Sequence, residues 1–141
     1  QATSWTGAAG IGQFTHVGRK EVRRLIGLPA WSSRYSSEPV LAARLANFNR
    51  PDAFDPGVAI EASALMLASL IGKWNGNLEA GLTDYNAGGV AAKLVARAGS
   101  HARALPELLQ LPEKIRSQSP EYAPKVLAAA SYFDSTGLRA G

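Results

Sequence analysis

A capped apolar helix in the middle of the chain constrains its fold more than any other feature. Asp55 stands where a side-chain oxygen can accept the free N–H groups of a first helical turn. Pro56 follows at the helical position where a missing N–H costs nothing. Beyond them Ile60, Ala64, Leu67, Ile71 and Trp74 recur at spacings of 4, 3, 4 and 3, which places them on one stripe of a 3.6-residue helix. This spacing predicts a central core helix with that stripe turned inward. Glu61 and Ser63 interrupt the apolar run from Ala59 to Ile71, so no run is expected to approach the length of a membrane span.

The remaining segments are helical by the same criteria. Thr15 is placed to cap a helix with Val17, Val22, Leu25 and Ile26 as its apolar face and Gly27 as its stop. From Leu28 to Ser37 the Pro, Ser and aromatic content predicts an irregular surface segment. Ser37-Glu38-Pro39 then opens a second helix (Val40, Leu41, Ala43, Leu45, Phe48) that ends by Asn49 to Asp52. After the central helix, Asn75-Gly76-Asn77 makes a turn. A short helix with Leu78, Leu82 and Tyr85 follows, with Glu79 placed for its N-terminal dipole. Val90 to Ala98 is a further helix stopped by Gly99, the region around Leu105-Pro106 and Leu111-Pro112 is looser, and a final helix carries Val126, Leu127, Ala130 and Phe133. No strand signal and no internal repeat appears. The expectation is an all-α domain of about seven helices, and a chain of this size is expected to close around one core.

Charge and composition narrow the function. Fifteen Lys and Arg against eleven Asp and Glu give a net charge of +4, compatible with an anionic polymer as partner. Arg19-Lys20 and Arg23-Arg24 form the one basic cluster, which fits a solvated helix face better than the basic stripe with interleaved aromatics of a nucleic-acid binder. There are no cysteines, so neither a disulfide frame nor a thiolate metal site is available. His16 and His101 are too isolated to suggest a metal centre. No metal, no cofactor and no nucleic-acid partner is expected. No secretory signal opens the chain, and its start at Gln1 in what reads as a loop suggests a fragment of something longer.

The chemistry-bearing stretch is Asp84-Tyr85-Asn86-Ala87-Gly88-Gly89, which closes the short helix after the turn. An aromatic, an amide and then small residues suit the wall of a cleft that grips something polar and ring-shaped. An ordinary helix C-cap is the commoner explanation of such a stretch taken alone. Its company changes the balance. Ser4-Trp5-Thr6-Gly7-Ala8-Ala9-Gly10-Ile11-Gly12-Gln13 is similar to the Ser-x-x-Gly-Ala-x-Gly-Leu-Met-Gln motif of the soluble lytic transglycosylases, relatives of goose-type lysozyme that cleave peptidoglycan. Phe54-Asp55-Pro56 with Ile60 resembles that family's Asp-Pro-x-x-Asn-Ile helix start, with Ala59 in place of the usual Asn. Tyr85-Asn86-Ala87-Gly88 matches the family's Tyr-Asn-Ala-Gly outright. Tyr122 with Lys125-Val126 resembles its Tyr-Val-x-Lys-Val helix. The blocks fall in the family's order across nearly the whole chain.

Departures accompany the matches. Phe14-Thr15-His16 replaces a Pro that usually follows the first motif, and residues 28–54 resemble an insertion that extends or covers one end of the groove. Gln118 stands where the last motif usually has Glu, and Pro124 interrupts its Tyr-Val pair, which predicts a kink or a late start for the final helix. The family's catalytic Glu, counted back from Gly7, falls before Gln1. The resemblance therefore implies a lysozyme-like helical domain, here without its first helix, and an acid supplied from upstream; the chain by itself is expected to be inactive. That acid donates a proton to the glycosidic oxygen and, in this family, then takes the proton of the sugar's own 6-hydroxyl, closing an anhydro ring without water.

By resemblance, Gln13 would hydrogen-bond the sugar's hydroxyl or acetamido groups, and Ser4 would orient the upstream acid. Tyr85 would aim its hydroxyl at the scissile region. Asn86 would fix the motif's backbone more than it touches sugar, and Tyr122 would wall the opposite side. Trp5 is the one tryptophan placed to stack on a sugar, whereas Trp74 fits the core. Among the acidic residues only Asp84 is expected near the cleft, first as a helix-end residue, while Glu21, Glu61 and Glu79 read as solvated or dipole-complementing. The implied partner is the peptidoglycan glycan strand and the implied setting the periplasm or cell wall. The competing expectation is a structural or peptidoglycan-binding module of a larger assembly with other subunits, such as a phage virion protein delivered into the host envelope, in which activity has lapsed.

Overall fold

A computed structural model of the chain describes residues 14–112 and 122–136. Among the described residues there are eight α-helices and two 3-10 turns, and no β-strand, so the protein is all-α. The chain divides into two compact units at Ser69 and Leu70. Each has its own cluster of buried side chains, where chain length had suggested a single core.

In the first unit, α1 (His16–Ile26) starts as its sequence predicts. Thr15 Oγ1 accepts the Gly18 N–H at 3.1 Å, and Gly27 closes the helix. Val22, Leu25 and Ile26 are buried, but Val17, in the first turn, is 74% exposed. The segment expected to be irregular is instead wound into α2 (Pro29–Ser32) and a 3-10 turn, Ser33–Tyr35. Pro29 supplies a preset helical φ, and the Leu28 carbonyl accepts from Trp31 and Ser32 at 3.0 and 2.9 Å. Helix α3 (Pro39–Ala46) buries Leu45, and a 3-10 turn over Pro51–Phe54 leads to Asp55. The core gathers Phe14, Val22, Leu25, Leu45, Phe48 and Ala62. Phe14 and Phe48 meet edge to face, with centroids 4.9 Å apart and planes at 76°.

Helix α4 (Pro56–Lys73) begins as expected: Asp55 Oδ1 accepts from the N–H groups of Gly57 and Val58 at 3.1 and 3.4 Å. Its inward stripe, however, is Val58, Ala59, Ala62 and Leu65, and Ile60 is 60% exposed. Over its first half the periodicity selected the neighbouring face because the helix is apolar nearly all round. At the far end of the predicted stripe, Ile71 lies against Gly81 and Trp74 packs on the second core. At 18 residues and mean hydropathy 1.2, α4 is also long and apolar enough to cross a membrane by length and composition alone, contrary to expectation. A core helix passes the same test, and the first half of α4 lines a core.

In the second unit, Asn75 and Gly76 turn the chain through positive φ values of 56° and 82°, a conformation that Asn and Gly tolerate. Asn77 Oδ1 accepts the Ala80 N–H at 3.0 Å and caps α5 (Leu78–Ala87). Helix α6 (Gly89–Ala98) ends at Gly99 in the left-handed conformation, φ 91°. Ser100 Oγ then accepts the Arg103 N–H at 3.1 Å and caps α7 (His101–Leu108). The stretch around Pro106 is thus helical rather than loose; Pro106 sits near the end of a short helix, where a lost backbone bond costs least. Helix α8 (Tyr122–Thr136) starts ahead of Pro124, which falls in the first turn, where its missing N–H has no intrahelical partner to lose. Helix α5 packs on α6 and α8, and α6 on α7. The core of Ala80, Ala91, Val95, Ala104 and Leu108 is made largely of small residues, which bring helix axes close. One close approach is at Gly81, where an added Cβ would stand 2.5 Å from Ile71 Cγ1 and 2.9 Å from its Cα.

Candidate functional site

Tyr85, Asn86 and Ala87 form the last turn of α5, and Gly88 is both its C-cap and the entry to α6. Gly88 has φ 94° and ψ 175°, a region open in practice to glycine alone. Its N–H donates to the Asp84 carbonyl at 2.9 Å, and its own carbonyl accepts the Ala92 N–H at 3.1 Å. The motif is therefore a corner between two helices. The aromatic and the amide sit on its last helical turn, both half-buried.

Asp84 anchors this corner. Its Oδ2 accepts from Trp74 Nε1 at 2.8 Å and from Lys73 Nζ at 2.9 Å, and the carboxylate is 9% exposed against 55% for Lys73. Lys73 also lies 5.5 Å from the centre of the Trp74 ring, within cation–π range. Trp74 packs against the core of the second unit, as its place in the sequence predicts, whereas the sequence assigns Lys73 no role. The signal available was faint: a Lys-Trp pair at one end of a tight Asn-Gly-Asn turn and an acid two helical turns beyond it.

Of the residues singled out from sequence, Ser4, Trp5, Gln13 and Gln118 lie outside the described residues. Tyr122 opens α8, the helix that packs on α5, and its side chain is likewise outside the description. Tyr85 and Asn86 are adjacent on one turn. The carboxylates are tied into local structure. Glu21 is bonded to Arg24, whose guanidinium holds the Glu21 carboxyl below its ordinary pKa. Glu79 lies in the first turn of α5 and accepts the His101 N–H at 3.4 Å. Glu61 is less solvated than its helix position suggested, because the Tyr35 hydroxyl donates to it at 3.2 Å. Burial first, and then the Glu61 charge, push the Tyr35 phenol above its ordinary pKa. Glu107 lies in the last turn of α7.

The three arginines of the basic cluster of α1 serve this chain's own groups. Arg19 donates to the Phe14 carbonyl at 2.8 Å, Arg23 to that of Phe48, and Arg24 to Glu21. In the first unit, a groove of ≈ 600 Å³ runs beside the first turns of α3 and α4, with Val40, Leu41 and Val58 among its apolar walls and Glu61 on its rim. Arg44 borders it, held by Asp55 at 2.9 Å and Asp52 at 3.0 Å. Among the described residues no three His, Cys, Asp or Glu side chains converge as a metal site would require. Comparison with protein-family models, with curated proteins and with solved structures gives no match.

Proposed function

We propose that this chain is the peptidoglycan-cleaving domain of a lytic transglycosylase, with a lysozyme-like helical fold. It breaks the β-1,4 bond between N-acetylmuramic acid and N-acetylglucosamine and leaves a 1,6-anhydro-muramyl end. The observation that carries this reading is the corner at Tyr85-Asn86-Ala87-Gly88. The match to Tyr-Asn-Ala-Gly falls on a turn where the glycine is required by φ 94°, and where the aromatic and the amide are held together at a helix end. A helix end of this kind presents a phenol and a short polar turn to a ligand without costing core packing. Tyr85 supplies a hydroxyl donor for charge developing at the glycosidic oxygen. Gln13 and Ser4 hold the sugar and the acid, Asn86 braces the turn, and Tyr122, on the neighbouring α8, closes the far wall. The proton donor is the Glu that the resemblance expects ahead of Gln1. Asp84 is a poor substitute, since its Oδ2 is taken up by Lys73 and Trp74.

The substrate is the glycan strand, met in the periplasm or cell wall or delivered there with a virion. Titration of the 141-residue chain with a soluble N-acetylglucosamine–N-acetylmuramic acid tetrasaccharide, followed by amide NMR, tests the site. Shifts centred on residues 85–88 and on Gln13 are expected. Shifts confined to other segments, or none at millimolar ligand, would refute it.

A further inference from the structure

Asp84 bonds to both sides of the turn that carries Tyr85 and Asn86. On one side its carboxylate oxygen Oδ2 takes the Trp74 indole N–H at 2.8 Å and the Lys73 ammonium at 2.9 Å, which fastens the end of α4 to α5. On the other side its backbone carbonyl takes the Gly88 N–H at 2.9 Å and closes the helix. The residues between these two fixed points are Tyr85, Asn86 and Ala87. The Lys73 ammonium also stands near the start of α6, 3.8 Å from where a Cβ built on Gly89 would lie, without a bond to it. One side chain that is scarcely exposed therefore ties the end of α4 to α5 at the motif.

The chemistry of the three partners is uneven. The Lys73 ammonium is half-exposed and can be rehydrated if its partner is removed, so its pairing contributes little by itself. The indole has a single N–H and no other function for it, so removing its acceptor strands a part-buried donor. The directional part of the anchor is thus the Trp74–Asp84 bond, and the charge is secondary.

We infer that Asp84 is the positioning residue of the Tyr85-Asn86 turn, acting through its bond to Trp74 to fix the direction in which Tyr85 meets a glycan. This rests on the peptidoglycan reading for the identity of the ligand, but the positioning itself can be read without one. Asp84→Asn keeps an oxygen that can accept from the indole and removes the charge. Asp84→Leu removes both. Trp74→Phe removes the donor and leaves the carboxylate with Lys73.

The test compares the Trp74 indole N–H and Tyr85 ring resonances of the 141-residue chain in these variants, and then their affinity for the same tetrasaccharide. Asp84→Asn is expected to keep the hydrogen-bonded indole resonance and bind within about twofold of the parent chain, whereas Asp84→Leu and Trp74→Phe move the Tyr85 ring resonances and weaken binding about tenfold, the equivalent of one net hydrogen bond. Unmoved Tyr85 resonances with parent-like affinity in a folded Asp84→Leu or Trp74→Phe chain would overturn the inference. So would equal losses in Asp84→Asn and Asp84→Leu, which would assign the role to charge. If Asp84→Leu does not fold, Trp74→Phe and Asp84→Asn decide the matter. If the parent chain binds no tetrasaccharide, the peptidoglycan reading fails, and the positioning is decided by the Tyr85 resonances alone.

Discussion

Replacing Gly88 by alanine isolates the backbone requirement of the motif from any packing effect. Gly88 sits at φ 94° and ψ 175°, and nothing lies within 4 Å of the Cβ it would gain. The whole cost is therefore conformational: a non-glycine residue in this region is strained by about 1–3 kcal/mol. Removing glycine's freedom from the unfolded chain returns about 0.4–1 kcal/mol, so the mid-ranges, about 2 less about 0.7, leave a net destabilisation of about 1.3 kcal/mol. Gly72 is the matched control. It also has nothing within 4 Å of an added Cβ, but it lies inside α4, where alanine is favoured by about 0.5–1 kcal/mol. Urea unfolding followed by far-ultraviolet circular dichroism reads both variants. Gly72→Ala is expected to raise the midpoint and Gly88→Ala to lower it, each at unchanged slope. A Gly88→Ala chain as stable as the parent would refute the strained corner, because no clash exists that could relax to hide the strain.

Three further outcomes follow from the described packing. Gly81→Ala drives a Cβ to 2.9 Å from the Ile71 Cα and is expected to destabilise the second unit by about 1–3 kcal/mol, measured by hydrogen exchange of α5 amides; a neutral effect would mean that α5 can slide away freely. Phe48→Ala removes a fully buried ring in contact with Phe14, and loses about 3–5 kcal/mol in the first unit by denaturant titration; a loss below about 1 kcal/mol would contradict its core position. Hydrogen bonding from Arg44, and then from the Val58 N–H, lowers the Asp55 pKa. Its contribution is therefore present above the unfolded carboxylate value and is lost as pH falls through the lower folded one. The stability gap between the parent and Asp55→Asn should narrow below about pH 4; a gap that widens there would reverse the sign of the interaction.

Local signals carried most of the secondary structure. Thr15 and Asp55 cap helices where their types predict, Gly27 and Gly99 close them, and Pro39 and Pro56 stand at their starts. These devices act through neighbouring backbone groups and so are visible in sequence. What depends on distant partners was less legible. The buried face of the first half of α4 is not fixed by sequence because Ile60 and Val58 are equally apolar, and only the tertiary cluster that Val58 joins and Ile60 does not distinguishes them. The segment from Leu28 to Ser37 winds into helical turns because Leu28 offers its carbonyl to Trp31 and Ser32, a choice that proline and serine content does not reveal. At the candidate site, the Tyr85-Asn86-Ala87-Gly88 turn was legible. Its anchor was not, because Lys73, Trp74 and Asp84 meet only once the Asn75-Gly76 turn has folded α5 back beside the end of α4.

The central claim is a bond cleavage that uses no water, and the products report it directly. Purified peptidoglycan sacculi digested with a protein that carries this domain together with the expected upstream Glu, analysed by mass spectrometry, should release muropeptides ending in 1,6-anhydro-N-acetylmuramic acid, lighter by one water than hydrolytic products, and a Tyr85→Phe variant should release fewer of them. Reducing-end muramic acid in place of the anhydro sugar, or no release at all, would contradict the account.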